Sequence, residues 1–435
     1  MIITILFCIL ILMLALLETP LFILIGGLSV ICLYFVEHDL PALQIIIIEM
    51  NRMASMPVLM ALPLFVLVGC ILTETKAPVR IMNFIQALLG WLPGGLAIAG
   101  LFACTFFTAL TGASGVTIIA IGALLYPILK ENEYDDKFSL GLLTTSGSLG
   151  LLFPPSLPVI LYGVVAQVEI ARIFKAALIP GLMLIFVLSG YAFVYELKKN
   201  RNRSNIIRQG FALNAVSLRK IGVAFWAAFW EWPIMLIIII GIYGGYVTIA
   251  EVSALILIYV IIYECFILKE INLFKQLPEI IMESAMLSGA IMIILGFALG
   301  FTGYLVDQQM PDQILKYLTG ITENKLIFLA GLNIILLAVG CIMDIFSAII
   351  IIVPIIMPIA LEYGVDPVHL CIIFLVNLEI GYSTPPVGIN LFISSLKFKK
   401  PITLVYSASI PYLLLLLLCL GLITYIPSLS LFLLK

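Results

Sequence analysis

The sequence predicts an all-α polytopic membrane protein: two inverted repeats, about ten membrane crossings in all, and one re-entrant hairpin in each half. Three observations lead there. Of the 435 residues, 63% are hydrophobic and 11% charged, whereas soluble domains run at about 45–50% apolar and about 25% charged. Runs of about 20 apolar residues, the length a helix needs to cross a bilayer, recur from one end of the chain to the other. The Pro and Gly residues that punctuate those runs repeat at a fixed offset of 231 residues.

Cut where charges, Pro and Gly cluster, the first set of apolar segments lies near residues 1–17, 21–36, 57–75, 95–112, 115–130, 138–166 and 172–196. A second set lies near 221–240, 248–268, 284–305, 326–343, 345–362, 368–396 and 403–427. Between them runs a basic hydrophilic stretch, 197–220, with Lys198, Lys199, Arg201, Arg203, Arg208, Arg219 and Lys220. The chain therefore divides into a first repeat (1–196), a cytoplasmic linker (197–220) and a second repeat (221–435). Met1-Ile2-Ile3-Thr4 lacks the basic start of a cleaved signal peptide, which predicts a retained first span.

At the offset, Tyr126-Pro127 falls on Met357-Pro358, Asp135 on Asp366, Gly150 on Gly381, and Pro154-Pro155 on Pro385-Pro386. Such residues interrupt membrane helices, and here they agree in order and spacing. In the first half, 95–130 is interrupted at Thr111–Gly115 and 138–166 at Gly150–Ser156. One segment is a hairpin and the other a crossing helix with an unwound centre, and charge decides which.

If the Gly/Ser break is the hairpin tip, each half has five crossings, and an odd number inverts the second half. With the linker inside, 16 Lys and Arg then face the cytoplasm: Lys76, Arg80, Lys130, Lys137, the seven of the linker, Lys269, Lys275, Lys397, Lys399 and Lys400. Six face outward: Arg52, Arg172, Lys175, Lys316, Lys325 and Lys435. Swapping the roles divides the 22 evenly. The excess of positive charge on cytoplasmic loops favours the first arrangement. It predicts hairpins at 95–130 and 326–362, entering from the cytoplasm and the periplasm respectively. Broken helices follow at 138–166 and 368–396, with both termini periplasmic in a bacterial inner membrane.

Unwound backbone at membrane depth costs several kcal/mol for each unpaired amide, on the order given for hydrocarbon, unless it lines a cavity or binds something. The polar residues in and beside the four breaks are Thr111, Ser114, Thr117, Ser146, Ser148, Ser156, Asp344, Ser347, Asn377, Glu379, Ser383, Thr384 and Asn390. Free carbonyls with hydroxyl, amide and carboxylate oxygens suit a hard cation such as Na⁺, while half-helix N-termini suit an anion. Asp344 and Glu379 matter most, since a carboxylate within a span is expensive and faces a polar interior. Glu231, between Trp230 and Trp232, ranks lower, as part of an interfacial belt. No Lys or Arg falls in the interior of the hairpins or broken helices, so a bound anion would be met by dipoles, amides, hydroxyls and a co-bound cation. That predicts obligatory ion coupling.

Other classes find little support. His38 and His369 lack a zinc-protease spacing, no phosphate-binding Gly loop precedes a Lys-Ser/Thr pair, and no basic aromatic tract fits a nucleic acid. The eight cysteines, without a Cys-x-x-Cys pair, read as small buried hydrophobes. A continuous pore fits paired breaks less well than alternating access does.

The runs Gly150–Gly163 (GLLFPPSLPVILYG) and Asn377–Phe392 (NLEIGYSTPPVGINLF), with Leu92-Pro93-Gly94-Gly95-Leu96 and Ile426-Pro427-Ser428-Leu429-Ser430, resemble the large membrane subunit of TRAP (tripartite ATP-independent periplasmic) transporters, the DctM-like permeases. The resemblance covers essentially the whole chain. It implies a sodium-driven importer of an organic acid, such as a C4-dicarboxylate, a sialic acid or a similar carboxylate, working by an elevator movement and using no cofactor beyond Na⁺. It implies two partners, a small membrane subunit and a periplasmic solute-binding protein. It also implies sodium sites at Ser114, Gly150 and Pro154 in one half and at Asp344, Gly381, Thr384 and Pro385 in the other. Ser156, Asn377, Glu379, Ser383 and Asn390 are the candidates for solute contact. Many members carry Ser-Gly-Ser and a nearby acid where this chain has Thr111-Gly112-Ala113-Ser114 and Thr117. Tyr382-Ser383 also replaces a more apolar pair. The alternatives are a stand-alone divalent-anion symporter or ion antiporter of similar architecture, and a membrane scaffold or membrane-embedded enzyme.

Overall fold

The computed structural model describes residues 44–201, 218–307 and 322–434, together with Ile23, Gly26, Gly27, Val30, Gln309 and Lys316. The crossings expected at 1–17 and 21–36, the periplasmic N-terminus and most of the basic linker lie outside those residues. Among the described residues the regular elements are all helical. In chain order they are α1 (Gln44–Ala54), α2 (Ala61–Thr73), α3 (Ala77–Leu89), α4 (Gly95–Thr111), α5 (Ser114–Glu131), α6 (Asp136–Ser146), α7 (Leu157–Val165) and α8 (Ile170–Arg201). Then come α9 (Leu218–Ala227), α10 (Trp232–Ile238), α11 (Ile249–Ile261), α12 (Gln276–Asp307), α13 (Lys325–Ile342), α14 (Ile345–Glu362), α15 (Pro367–Gly381), α16 (Ile389–Phe398), α17 (Ile402–Tyr425) and α18 (Ser428–Leu431).

Among the described residues, seven helices are long and apolar enough to cross a membrane, or up to ten if each bent pair counts as one span. Of the eight crossings expected on described residues, seven correspond to a helix or a bent pair, and the one at 368–396 to two shorter helices, α15 and α16, on either side of a break. The 231-residue offset is kept by the elements themselves. The limbs α4 and α5 map onto α13 and α14 almost residue for residue, as do α6 onto α15 and α7 onto α16.

The inversion can be read along α17, whose 24 residues span about 36 Å at 1.5 Å per residue. Beside its start, Lys400 reaches Asp136 at 2.9 Å and Lys130 reaches the same carboxylate at 2.7 Å, which marks the open end of the first hairpin. At its other end the Tyr425 hydroxyl donates to the Leu326 carbonyl at 3.4 Å, beside the open end of the second. The two hairpins therefore enter from opposite ends of one helix.

Packing sorts the helices into two bodies. The hairpins, the broken helices, α8 and α17 pack on one another, with α5 against α16 and α7 against α14, so each half completes the other. Flanking them, α1, α2, α10, α11 and α12 form a second group, joined by α9 through the turn at 229–231, and this group touches the hairpins where α2 packs on α4 and α12 on α14. Its core is aliphatic and aromatic (Phe65, Ile71, Val252, Ile256, Tyr263, Leu295).

Two elements depart from the sequence reading. The span expected at 57–75 is preceded by α1 and bent by 69° around Pro57. Proline supplies no N–H to carry the helix through. The amphipathic helix α3 lies outside the apolar segments, because Arg80, Asn83 and Gln86, at i, i+3 and i+6, form a polar face that breaks up the apolar run.

Candidate functional site

The first hairpin turns where α4 ends at Thr111. Gly112 (φ 66°) takes the left-handed position that closes the helix, its N–H bonding the Thr108 carbonyl at 2.8 Å. This is a conformation that residues with a Cβ seldom adopt. Ala113 is extended, and Ser114 opens α5. The second hairpin turns through extended Met343 and Asp344. There the Asp344 carboxylate caps α14, accepting from the Ser347 N–H at 3.0 Å and from the Ser347 hydroxyl. The Tyr382 hydroxyl accepts from the Ile345 N–H, tying this tip to the second broken helix.

The first broken helix leaves α6 at Ser146, whereas α15 runs on to Gly381, the equivalent of Gly150, and the two resume as α7 and α16. The Pro154–Pro155 and Pro385–Pro386 bonds are both cis. Close backbone approach explains the glycines. A Cβ on Gly150 would lie 2.2 Å from the Thr105 carbonyl oxygen, and one on Gly381 would lie 2.6 Å from the Gly340 backbone. Each broken helix is thus pressed against the first limb of its own hairpin.

Between the halves runs a buried polar seam. Ser114 Oγ donates to Asn390 Oδ1 at 2.8 Å, and Asn390 Nδ2 and Ser383 Oγ each reach the Thr144 carbonyl at 3.5 Å. Thr144 Oγ1 lies 2.8 Å from Ser394 Oγ. Ser148 Oγ donates to the Glu379 carbonyl at 3.4 Å, and these two positions are 231 residues apart. A residue touching its own repeat partner marks the pseudo-two-fold axis, so the seam is the centre of the repeat. Thr108 Oγ1 donates to the Gly147 carbonyl at 2.8 Å behind the first tip.

The structure thus brings Ser114, Ser383 and Asn390 together across the halves, with Gly150 and Glu379 beside them. Cys341, Asp344, Gly381, Thr384 and Pro385 gather around the second tip, where Thr384 Oγ1 donates to the Ile380 carbonyl at 2.8 Å and the Gly388 N–H to the Cys341 carbonyl at 3.0 Å. Two candidates point elsewhere. Ser156 donates locally to the Leu151 carbonyl. Asn377 donates to Asn333 Oδ1 at 2.7 Å, and Asn333 in turn bonds Thr424 Oγ1 at 3.1 Å, tying α15 to α13 and α17. Glu379 is 1% exposed, and neither carboxyl oxygen has a hydrogen-bond partner among the described residues.

The two breaks differ in access. Pro154, Pro155 and Ser156 are buried, whereas Thr384 and Pro385 are half-buried and Pro386 and Val387 exposed. Among the described residues no three His, Cys, Asp or Glu converge as a metal cluster. A cation here would be met by carbonyls and hydroxyls, with Asp344 the carboxylate at a tip. Thr108, Thr144 and Ser394 were missed from sequence. Thr144 sits in the last turn of α6, and only the packing of that turn on the other half gives its carbonyl two donors.

An inverted pair of hairpins and broken helices around a polar seam defines a membrane carrier. The family profile of the tripartite ATP-independent periplasmic transporter, DctM component, matches residues 7–429. The chain belongs to that family, whose members are multi-pass membrane transporters and not enzymes. It is 35% identical over 373 residues to the C4-dicarboxylate TRAP transporter large permease protein DctM of Pseudomonas aeruginosa, covering 86% of this chain and 85% of that one. It is 33% identical over 406 residues to the isethionate TRAP transporter permease protein DctMQ of Oleidesulfovibrio alaskensis, covering 93% of this chain. The match spans 62% of that relative's length. The ectoine/5-hydroxyectoine TRAP transporter large permease protein UehC of Ruegeria pomeroyi is 31% identical over 86% of this chain and 85% of its own. Among solved structures, the YdaH transporter of Alcanivorax borkumensis shares the fold at a TM-score of 0.62 and 12% identity, covering 93% of this chain and 96% of that one.

Proposed function

We propose that the chain is the permease subunit of a sodium-coupled importer of an organic acid, either a C4-dicarboxylate or a related carboxylate. It works with a small membrane subunit and a periplasmic solute-binding protein in the bacterial inner membrane, with both termini periplasmic. The hairpins and broken helices carry solute and Na⁺ together past the flanking body, an elevator movement. Na⁺ is held at the two tips and breaks by Ser114, Gly150 and Pro154, and by Asp344, Gly381, Thr384 and Pro385. The acid is met by the hydroxyl and amide groups of the seam, Ser383 and Asn390 first among them. Relatives named for C4-dicarboxylate, isethionate and ectoine transport support an organic solute bearing an acid group.

One observation carries the reading. A seam of neutral hydroxyls and amides, with no Lys or Arg in it, gives an anion no counter-charge except a co-bound cation and the helix dipoles. Uptake by proteoliposomes holding the permease, the small subunit and the binding protein therefore requires Na⁺. Full uptake in Na⁺-free medium, without a proton gradient, overturns the coupling. The same uptake without the binding protein overturns the tripartite assembly.

A further inference from the structure

A second polar centre lies outside the seam. Arg80, on the first turn of α3, reaches three carboxylates from remote parts of the chain. Nε donates to Glu231 Oε1 at 2.6 Å, Nη1 to Glu270 Oε1 at 2.6 Å, and Nη2 to Glu264 Oε1 at 3.0 Å. The side chains are 13% exposed for Arg80, 3% for Glu231, 0% for Glu264 and 18% for Glu270. The Lys76 N–H adds a bond to Glu270 Oε2 at 2.7 Å. One turn on, the Phe84 ring meets Trp232 edge-on at 4.9 Å. All three acids belong to the flanking body.

The position of α3 gives this hub its meaning. It is the chain's only covalent route from α2 to the first hairpin, through Leu92-Pro93-Gly94-Gly95. It packs against α4 of that hairpin on one side and α9 of the flanking body on the other. Without the hub, α3 could follow whichever neighbour moved. A planar guanidinium offering donors in three directions fixes it to one of them.

We propose that Arg80 is a positioning residue for transport: it fastens α3 to the flanking body, making α3 the fixed strut against which the first hairpin moves. The proposal rests on the carrier reading above. Arg80→Lys keeps the charge but presents a single point to three carboxylates. In the reconstituted transporter it lowers Vmax about tenfold and leaves KM within about twofold, the pattern of a slowed step and not of weakened binding. The charge-balanced chain Arg80→Met with Glu231→Gln, Glu264→Gln and Glu270→Gln removes the stranded charges and regains the parent's thermal stability, as buried ion clusters replaced whole do. Its Vmax stays about tenfold low.

Recovery of Vmax to within about twofold in that balanced chain, or a raised KM at unchanged Vmax in Arg80→Lys, overturns the proposal. Amide hydrogen exchange of the purified chain tests it independently of any transport assay. Exchange over residues 77–89 accelerates at least about tenfold in Arg80→Lys and in the balanced chain, and parent-like exchange there overturns the strut. If the parent itself takes up no solute, the carrier reading fails while the exchange result still decides the role of Arg80.

Discussion

Where the first hairpin turns through Thr111-Gly112-Ala113-Ser114, the second turns through Ile342-Met343-Asp344-Ile345, one repeat later, with limbs that match almost residue for residue. At equivalent positions the first tip has the methyl of Ala113 and the second the carboxylate of Asp344. The first tip closes with a neutral bond across the halves, Ser114 to Asn390. The second closes on itself, with Asp344 capping its own helix. The first break is buried and the second partly exposed. Both halves need limbs of matching length because both must turn a helix around at membrane depth, but Gly112 is left-handed where its equivalent Met343 is extended, and the carboxylate stands only at the tip beside the exposed break. The shared framework and the divided chemistry make separate predictions.

The backbone half of the comparison predicts the largest effects, and predicts them equal. A methyl group at Gly150 or Gly381 meets main chain that cannot rotate away. Gly150→Ala and Gly381→Ala should each cost about 1–3 kcal/mol in unfolding, the range for overpacked cores. The displaced break should cut uptake below about a hundredth, as misplacement by an ångström can. Thermal unfolding of both variants side by side checks this. A large loss in one and none in the other would mean that the halves are not mechanically equivalent.

How far these features were legible in the sequence follows from the same division. The hairpins and broken helices could be read because Pro and Gly leave a signature that hydropathy does not blur, and because two copies check each other. Residues 44–54 and α3 could not. In the first case a cut at Pro57 starts the span where the chain only bends, and in the second an amphipathic stretch carries too many polar residues to register as a span. The seam was half legible. Ser114, Ser383 and Asn390 lie in or beside breaks, but Thr144 lies within a helix, and only the packing of α6 against the other half gives its carbonyl two donors. Arg80 read as one more inward-facing charge, since partners about 150–190 positions away leave no local pattern.

Asp344→Asn tests the chemical half of the comparison. Asparagine caps a helix about as well as aspartate, so unfolding should shift by no more than about 0.5 kcal/mol. The Na⁺ concentration for half-maximal uptake should rise about tenfold, equivalent to about 1.4 kcal/mol of lost cation binding. Ser114→Ala strands the Asn390 amide oxygen instead. It should cost about 1–3 kcal/mol of stability and move the Na⁺ requirement less, about threefold. Sodium titrations of uptake beside melting curves separate the two, and the reverse ranking would assign the cation to the first tip.

The smallest effect belongs to a place where the flanking body breaks the repeat. The kink at Pro57 has no counterpart, because its equivalent, Ser288, lies inside the unbroken α12 and donates to the Ser284 carbonyl at 2.6 Å. Pro57→Ser installs the second half's residue in the first. The Ser55 N–H bonds the Asn51 carbonyl at 3.2 Å and the Met56 N–H bonds the Met53 carbonyl at 3.0 Å, so the end of α1 has support besides the proline ring. Losing the ring mainly frees the unfolded chain, which destabilises by about 0.4–1 kcal/mol. Because α1 and α2 lie on the flank and contribute no group to the seam, uptake and its Na⁺ dependence should stay within about twofold of the parent. A collapse of uptake with the melting curve unmoved would place a working hinge at Pro57, and the asymmetry that matters would then lie in the flanking body and not at the hairpin tips.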